Sequence, residues 1–176
     1  MTSQISNPVS HRAYRLQTAP VCRRLLTLAV FLLSFLCGFA QQSQPSMAQQ
    51  LAALQRLEAM QPDSISPKFQ QAALLLGYVC TNPQDSKAQQ YTEEAERVIG
   101  KIEALKPKRA TDRSDLATLH GFYYTALIVI NPQQNGPRYY RQALDSFDEA
   151  LKLNPANMMA KQLQTQFKKG MEQAEQ

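Results

Sequence analysis

Two stretches far apart in the chain carry the same spacing of apolar residues and proline, and this repetition restricts the fold more than any other feature. Ala95, Ile99, Ile102 and Pro107 are separated by four, three and five positions, and so are Ala143, Phe147, Ala150 and Pro155. Side chains at i, i+4 and i+7 form one stripe on a helix, and a proline beyond the stripe ends that helix. Ahead of each quartet lies a second apolar segment with a glycine inside it, running from Ala73 to Pro83 around Gly77 and from Ala117 to Pro132 around Gly121. A unit of this size cannot bury its apolar face alone, so consecutive units must stack.

With glycine in the first helix of each pair and the stretch Ala150-Leu151-Lys152-Leu153-Asn154-Pro155 closing the second, the chain resembles the tetratricopeptide repeat over residues 68 to 157. Ile102-Glu103-Ala104-Leu105-Lys106-Pro107 is a weaker copy of the same ending. The resemblance implies antiparallel helix pairs in which Gly77 and Gly121 let the partner helix approach closely. It also implies two lengthened turns within the repeats, by six residues between Gly77 and Ala95 and by ten between Gly121 and Ala143. Ala73 and Ala117 depart from the family by standing where it has a large aromatic, and His120 stands where it has leucine.

Flanking stripes complete the series: Leu51, Leu54, Leu57 and Met60 before the repeats, and Met158, Met159, Leu163, Phe167 and Met171 after them, with Lys161, Lys168 and Lys169 toward solvent. The expected elements are helices over 47–60, 67–81, 86–105, 114–130, 138–153 and 157–173. No window alternates apolar and polar residues for long enough to make a sheet. The fold class is therefore all-α, a short tetratricopeptide-like array of helical hairpins: two degenerate repeats plus flanking helices, over residues 47–176.

The first forty residues differ in kind. Arg12, Arg15, Arg23 and Arg24 precede the apolar stretch from Leu25 to Leu36, no acidic residue occurs, and Gly38 and Ala40 supply small side chains before a polar run. This is the pattern of a secretory signal over 1–40, cleaved after Ala40, with 41–46 as a disordered connection. An uncleaved anchor is disfavoured because the apolar run ends at Ala40, short of the ~20 residues that span a bilayer. Lipid attachment at Cys37 is disfavoured by Leu36 before it, where a small residue is required.

Removing that segment changes the charge reading. The whole chain carries +5, but four of its nineteen basic residues leave with the signal, and the remaining fifteen face fourteen acidic residues. A balance near neutrality gives no support for nucleic-acid binding. Cys22 and Cys37 leave too, so Cys80 stands alone and no internal disulfide can brace the domain.

The residues that could carry chemistry are few. His120 and Cys80 occupy neighbouring positions of successive repeats and would be the one conceivable nucleophilic pair, although core packing is the commoner fate of such residues. Glu93, Glu94 and Glu96, with Asp145, Asp148 and Glu149, read as solvated helix faces and not as a metal set. Lys106, Lys108, Arg109 and Arg113 surround a helix end, where cations complement free carbonyls. No enzyme, cofactor or metal is expected from this inventory.

In the repeat pattern, the concave groove takes first-helix positions, which here are Gln71, Leu74 and Tyr78 in one repeat and Asp115, Thr118, Phe122 and Thr125 in the next. Aromatic residues in such a groove are anchors for a partner, and the same residues could equally pack against the flanking helices. The chain is similar to short exported tetratricopeptide-repeat proteins of the Bacteroidetes. That similarity implies a periplasmic or secreted scaffold for a protein or peptide partner, without a membrane span after signal removal. The alternatives are a subunit of a larger envelope complex and a helical protein binding a small molecule.

Overall fold

The structure is a computed structural model and describes residues 46–174, so the expected signal over 1–40 and residues 41–45 lie outside the described residues. Six helices follow one another: α1 Met47–Met60, α2 Ile65–Thr81, α3 Ala88–Ala104, α4 Ala110–Ile130, α5 Pro132–Leu153 and α6 Met158–Ala174. The described residues contain no strand, and the chain is all-α. None of these helices is long and apolar enough to cross a membrane.

Local chemistry starts and stops them. Ser46, placed by the sequence reading in a disordered connection, is instead the N-cap of α1, where its side chain and that of Gln49 exchange bonds with each other's backbone N–H. The helices α3 and α5 stop at Ala104 and Leu153, before Pro107 and Pro155. Between α3 and Pro107 the chain turns through Lys106, whose φ of 52° is left-handed and whose N–H donates to the Glu103 carbonyl.

The two hairpins differ. Six residues, Asn82 to Lys87, join α2 to α3, as the longer spacing suggests. The ten additional residues of the second hairpin form no turn. They extend helices, and α4 and α5 meet at Asn131 alone, which ends one and caps the other by accepting a bond from the Gln134 N–H. Pro132 occupies the first helical position, where its missing N–H is no loss. Asn135 Nδ2 donates to the Leu127 carbonyl at 2.6 Å and ties the hairpin across its tip.

The three apolar residues of each quartet ahead of its proline are core. Ala95, Ile99 and Ile102 are at most 3% exposed, and Ala143, Phe147 and Ala150 are wholly buried. All but Ala150 belong to one of two clusters: Leu75, Leu76, Val79, Ile99, Ile102, Leu119 and Phe122 fill the space between α2, α3 and α4, whereas Ile128, Phe147 and Phe167 join α4, α5 and α6. The long helix α4 passes from one to the other and packs against α2, α3, α5 and α6. Helix α1 packs on α2, where Glu58 meets Lys68 and Gln71.

Candidate functional site

At the seam between the two core clusters the packing leaves a cavity of about 340 Å³. Cys80 reaches it from α2; Phe122, Thr125, Ile128 and Val129 from α4; Pro132 from the start of α5; and Leu163, Gln166, Phe167, Gly170 and Met171 from α6. Helices α4 and α6 each contribute one stripe: positions 122, 125 and 129 on α4 and 163, 166, 167, 170 and 171 on α6 share a face. The last stripe is visible in the sequence as a cap, and the structure makes it a wall.

The lining is almost wholly apolar and holds no charged side chain. Thr125 Oγ1 donates to the Gly121 carbonyl at 2.8 Å, so its proton is already committed. Burial pushes the Cys80 thiol up to about 12, which keeps it protonated at neutral pH. Gln166 supplies an exposed amide at the rim, and Met171 a soft thioether. Such a surface can exclude water and hold a flat or flexible apolar group by contact.

His120 is elsewhere. It lies half a turn round α4 from the cavity stripe, with Nε2 3.0 Å from Glu103 Oε1. Two shallow hollows of about 380 and 160 Å³ share it and Tyr124, one bordered by Asp145 and Glu149, the other by Glu96, Glu103 and Tyr123. Burial, with Glu96 next in weight, raises the Tyr123 hydroxyl well above the ordinary tyrosine range. Because His120 faces Glu103 and Cys80 faces the cavity, the two do not form a dyad. Among the described residues no group of three or more His, Cys, Asp or Glu is arranged to hold a metal ion.

The seven residues expected to share one groove are distributed over several places. Phe122 and Thr125 line the cavity. Gln71 is 2% exposed beneath α1, where its Nε2 donates to Glu58 Oε2 at 2.8 Å. Thr118 is buried and Asp115 half-buried beside Asn157, whose Nδ2 donates to both. Leu74 is half-buried on α2, apart from the cavity lining. Tyr78 stands edge-on to Tyr91 at 5.2 Å and donates its hydroxyl to Asp85 Oδ2 at 2.6 Å, which carries it toward the α2–α3 connection. That bond raises the Tyr78 hydroxyl and lowers Asp85. Tyr78 and Phe122 occupy equivalent sequence positions without facing one surface, because the α2–α3 connection draws Tyr78 aside.

Sequence reasoning missed the cavity residues of α6, Ile128 and Val129, and the buried Lys68 with its half-buried partner Glu58. Lys68 Nζ donates to the carbonyls of Pro62 and Ser64 and lies 4.0 Å from Glu58, which also takes Lys101 at 2.9 Å. Burial tends to raise Glu58, but bonds from Gln71 and Lys101 and the charges of Lys101 and Lys68 hold it below the ordinary carboxylate value.

The fold and the cavity define a class, an all-helical protein with a largely apolar pocket between its helices. The chain is similar to a solved structure, the HusA haemophore from Porphyromonas gingivalis, with a TM-score of 0.59 and 25% identity over 86% of this chain and 69% of that one. No protein-family model matches the chain. No curated protein matches it either.

Proposed function

We propose that this protein is an exported binding protein that holds a small apolar ligand, of the tetrapyrrole type, in the cavity between α4 and α6. The observation that carries the reading is the cavity itself, with aromatic walls at Phe122 and Phe167 and no charged group inside. The likeness to a haemophore supports the ligand class, and the signal pattern of residues 1–40 supports export.

The chemistry of the lining fits the ring of such a ligand better than a metal at its centre. His120, the one histidine among the described residues, is turned to Glu103, and Cys80 is held as a neutral thiol. At about 340 Å³ the cavity is at the small end for ligand pockets, so a macrocycle enters by one apolar edge and keeps its carboxylates in water.

The test is titration of the purified protein with haem and with metal-free protoporphyrin IX, beside the Gly170→Leu variant. Gly170 lines the cavity and a Cβ on it meets nothing within 4 Å, so leucine occupies the space without forcing the helix. Saturable binding of both compounds is expected, weakened about tenfold or more in the variant while its melting temperature holds. Absence of saturable binding by either compound sinks the reading.

The scaffold reading keeps one observation in its favour. Leu57 and Met60 on α1 are 42% and 69% exposed, an apolar edge suited to a protein partner. A partner that is captured equally by the native protein and the Gly170→Leu variant, but lost in Leu57→Ser/Met60→Ser, would favour it.

A further inference from the structure

Helix α6 is held very differently at its two ends. Its start is bolted to α4 and α5 through Asn157, which is 8% exposed. Asn157 Nδ2 donates to Ser114 Oγ at 2.9 Å, Thr118 Oγ1 at 3.1 Å and Asp115 Oδ1 at 3.2 Å, and its Oδ1 accepts from the Ala160 N–H at 3.0 Å. Ser114 Oγ in turn donates to the Ala150 carbonyl at the end of α5, at 2.7 Å. Breaking this buried set leaves several polar groups without partners, the costliest kind of local opening.

The far half of the helix has no such anchor. From Leu163 onward its inner face looks into the cavity, and it packs on the rest of the protein through Leu163, Met171 and Phe167, whose ring lies 5.6 Å from Tyr140 and 6.3 Å from Phe147. One exposed bond, Gln164 Nε2 to Asp148 Oδ1 at 2.7 Å, completes the attachment. Side chains over a void forgo part of their dispersion attraction, so lifting this half costs less than freeing the hydrogen-bonded Asn157 end. Its outer face, with Lys161, Thr165, Lys168 and Lys169, is exposed, and no described element blocks an outward swing.

We propose that α6 is the movable wall of the cavity: it pivots at Asn157, and its far half lifts from Tyr140 and Phe147 to admit the ligand. This rests on the reading that the cavity binds a ligand, but the motion can be measured without one. Cys80 lines the cavity opposite α6 and reports when the wall opens.

The experiment uses the full protein with Cys22→Ser, Cys37→Ser, Asp148→Cys and Gln164→Cys, purified folded, then either bridged by a short bis-maleimide or capped with N-ethylmaleimide. Cys80, neutral and half-buried, stays free during the brief labelling at neutral pH, as intact mass verifies. Modification of Cys80 by dithiodipyridine is then timed in both forms, and so is association of protoporphyrin IX. The bridge is expected to slow both about tenfold. Equal Cys80 rates in the bridged and capped forms overturn the movable wall, as does unchanged protoporphyrin IX association in the bridged form. Slower Cys80 modification with no protoporphyrin IX binding in either form upholds the wall and removes the ligand class instead.

Discussion

A Cβ built on Gly121 would stand 2.6 Å from Cε1 of Phe147, so this glycine and this ring together set how closely α4 and α5 approach. Phe147 is wholly buried and cannot retreat. Its ring also neighbours Phe167, which links the α4–α5 crossing to the wall of the cavity. Gly77, at the matching position of the first repeat, has nothing within 4 Å of an added Cβ. The close approach expected at both glycines therefore exists at one.

Gly121→Ala is accordingly expected to destabilise the protein by about 1–3 kcal/mol through overpacking. Gly77→Ala is expected to stabilise it by up to about 1 kcal/mol, because alanine is the better helix former where space is open. Denaturant melts of the two variants check the pair, and a loss in Gly77→Ala equal to that in Gly121→Ala contradicts the packing described here.

Removing the charge of Glu58 leaves Lys68, only 4% exposed, with carbonyl partners alone. Glu58→Gln should cost about 1–2 kcal/mol at neutral pH, the Lys101 bond at the surface contributing least. The sign with pH follows from the lowered carboxyl: its stabilisation is present above the unfolded value of 4.5 and is lost as pH falls through the lower folded value. The gap between native and variant melts should therefore close as the pH is taken below 4.5. A gap independent of pH would mean that packing, and not charge, explains the loss.

At the root of α6, Asn157→Ala should cost about 2 kcal/mol through loss of the cap and of the buried donor. Asn157→Asp keeps the cap but places a carboxylate beside Asp115, whose own carboxyl is raised by burial first and by the charge of Asp112 second. Two neighbouring carboxyls of raised pKa destabilise at high pH and are relieved by protonation. Asn157→Asp should thus be at least as unstable as Asn157→Ala at neutral pH and recover as pH falls, a contrast that melts at two pH values measure.

Lys106 adopts a left-handed backbone that a side chain disfavours, and its own side chain is exposed. Lys106→Gly should stabilise by up to about 1 kcal/mol. Calorimetry reads this directly, and a lower melting temperature would show that the lysine's charge at the end of α3 outweighs its backbone strain.

What the sequence by itself determined is the helical content, the places where helices end and the faces they bury. The stripe Ala95, Ile99, Ile102 and the stripe Ala143, Phe147, Ala150 are legible because helical periodicity and proline punctuation act within a few residues of one chain segment. Even there the start of α5 is hidden: two prolines and Gly136 suggest a long turn, while Asn131 and Pro132 together begin a helix. The tertiary structure alone decided that Gly121 and not Gly77 meets a ring, that Lys68 is buried against Glu58, and that Tyr78 turns from Phe122 to Asp85. It also made the cavity. A void lined from α2, α4, α5 and α6 depends on the angles at which separate helices cross, and those angles are set by long-range packing at residues such as Phe147 and Asn157 that no local pattern relates to one another.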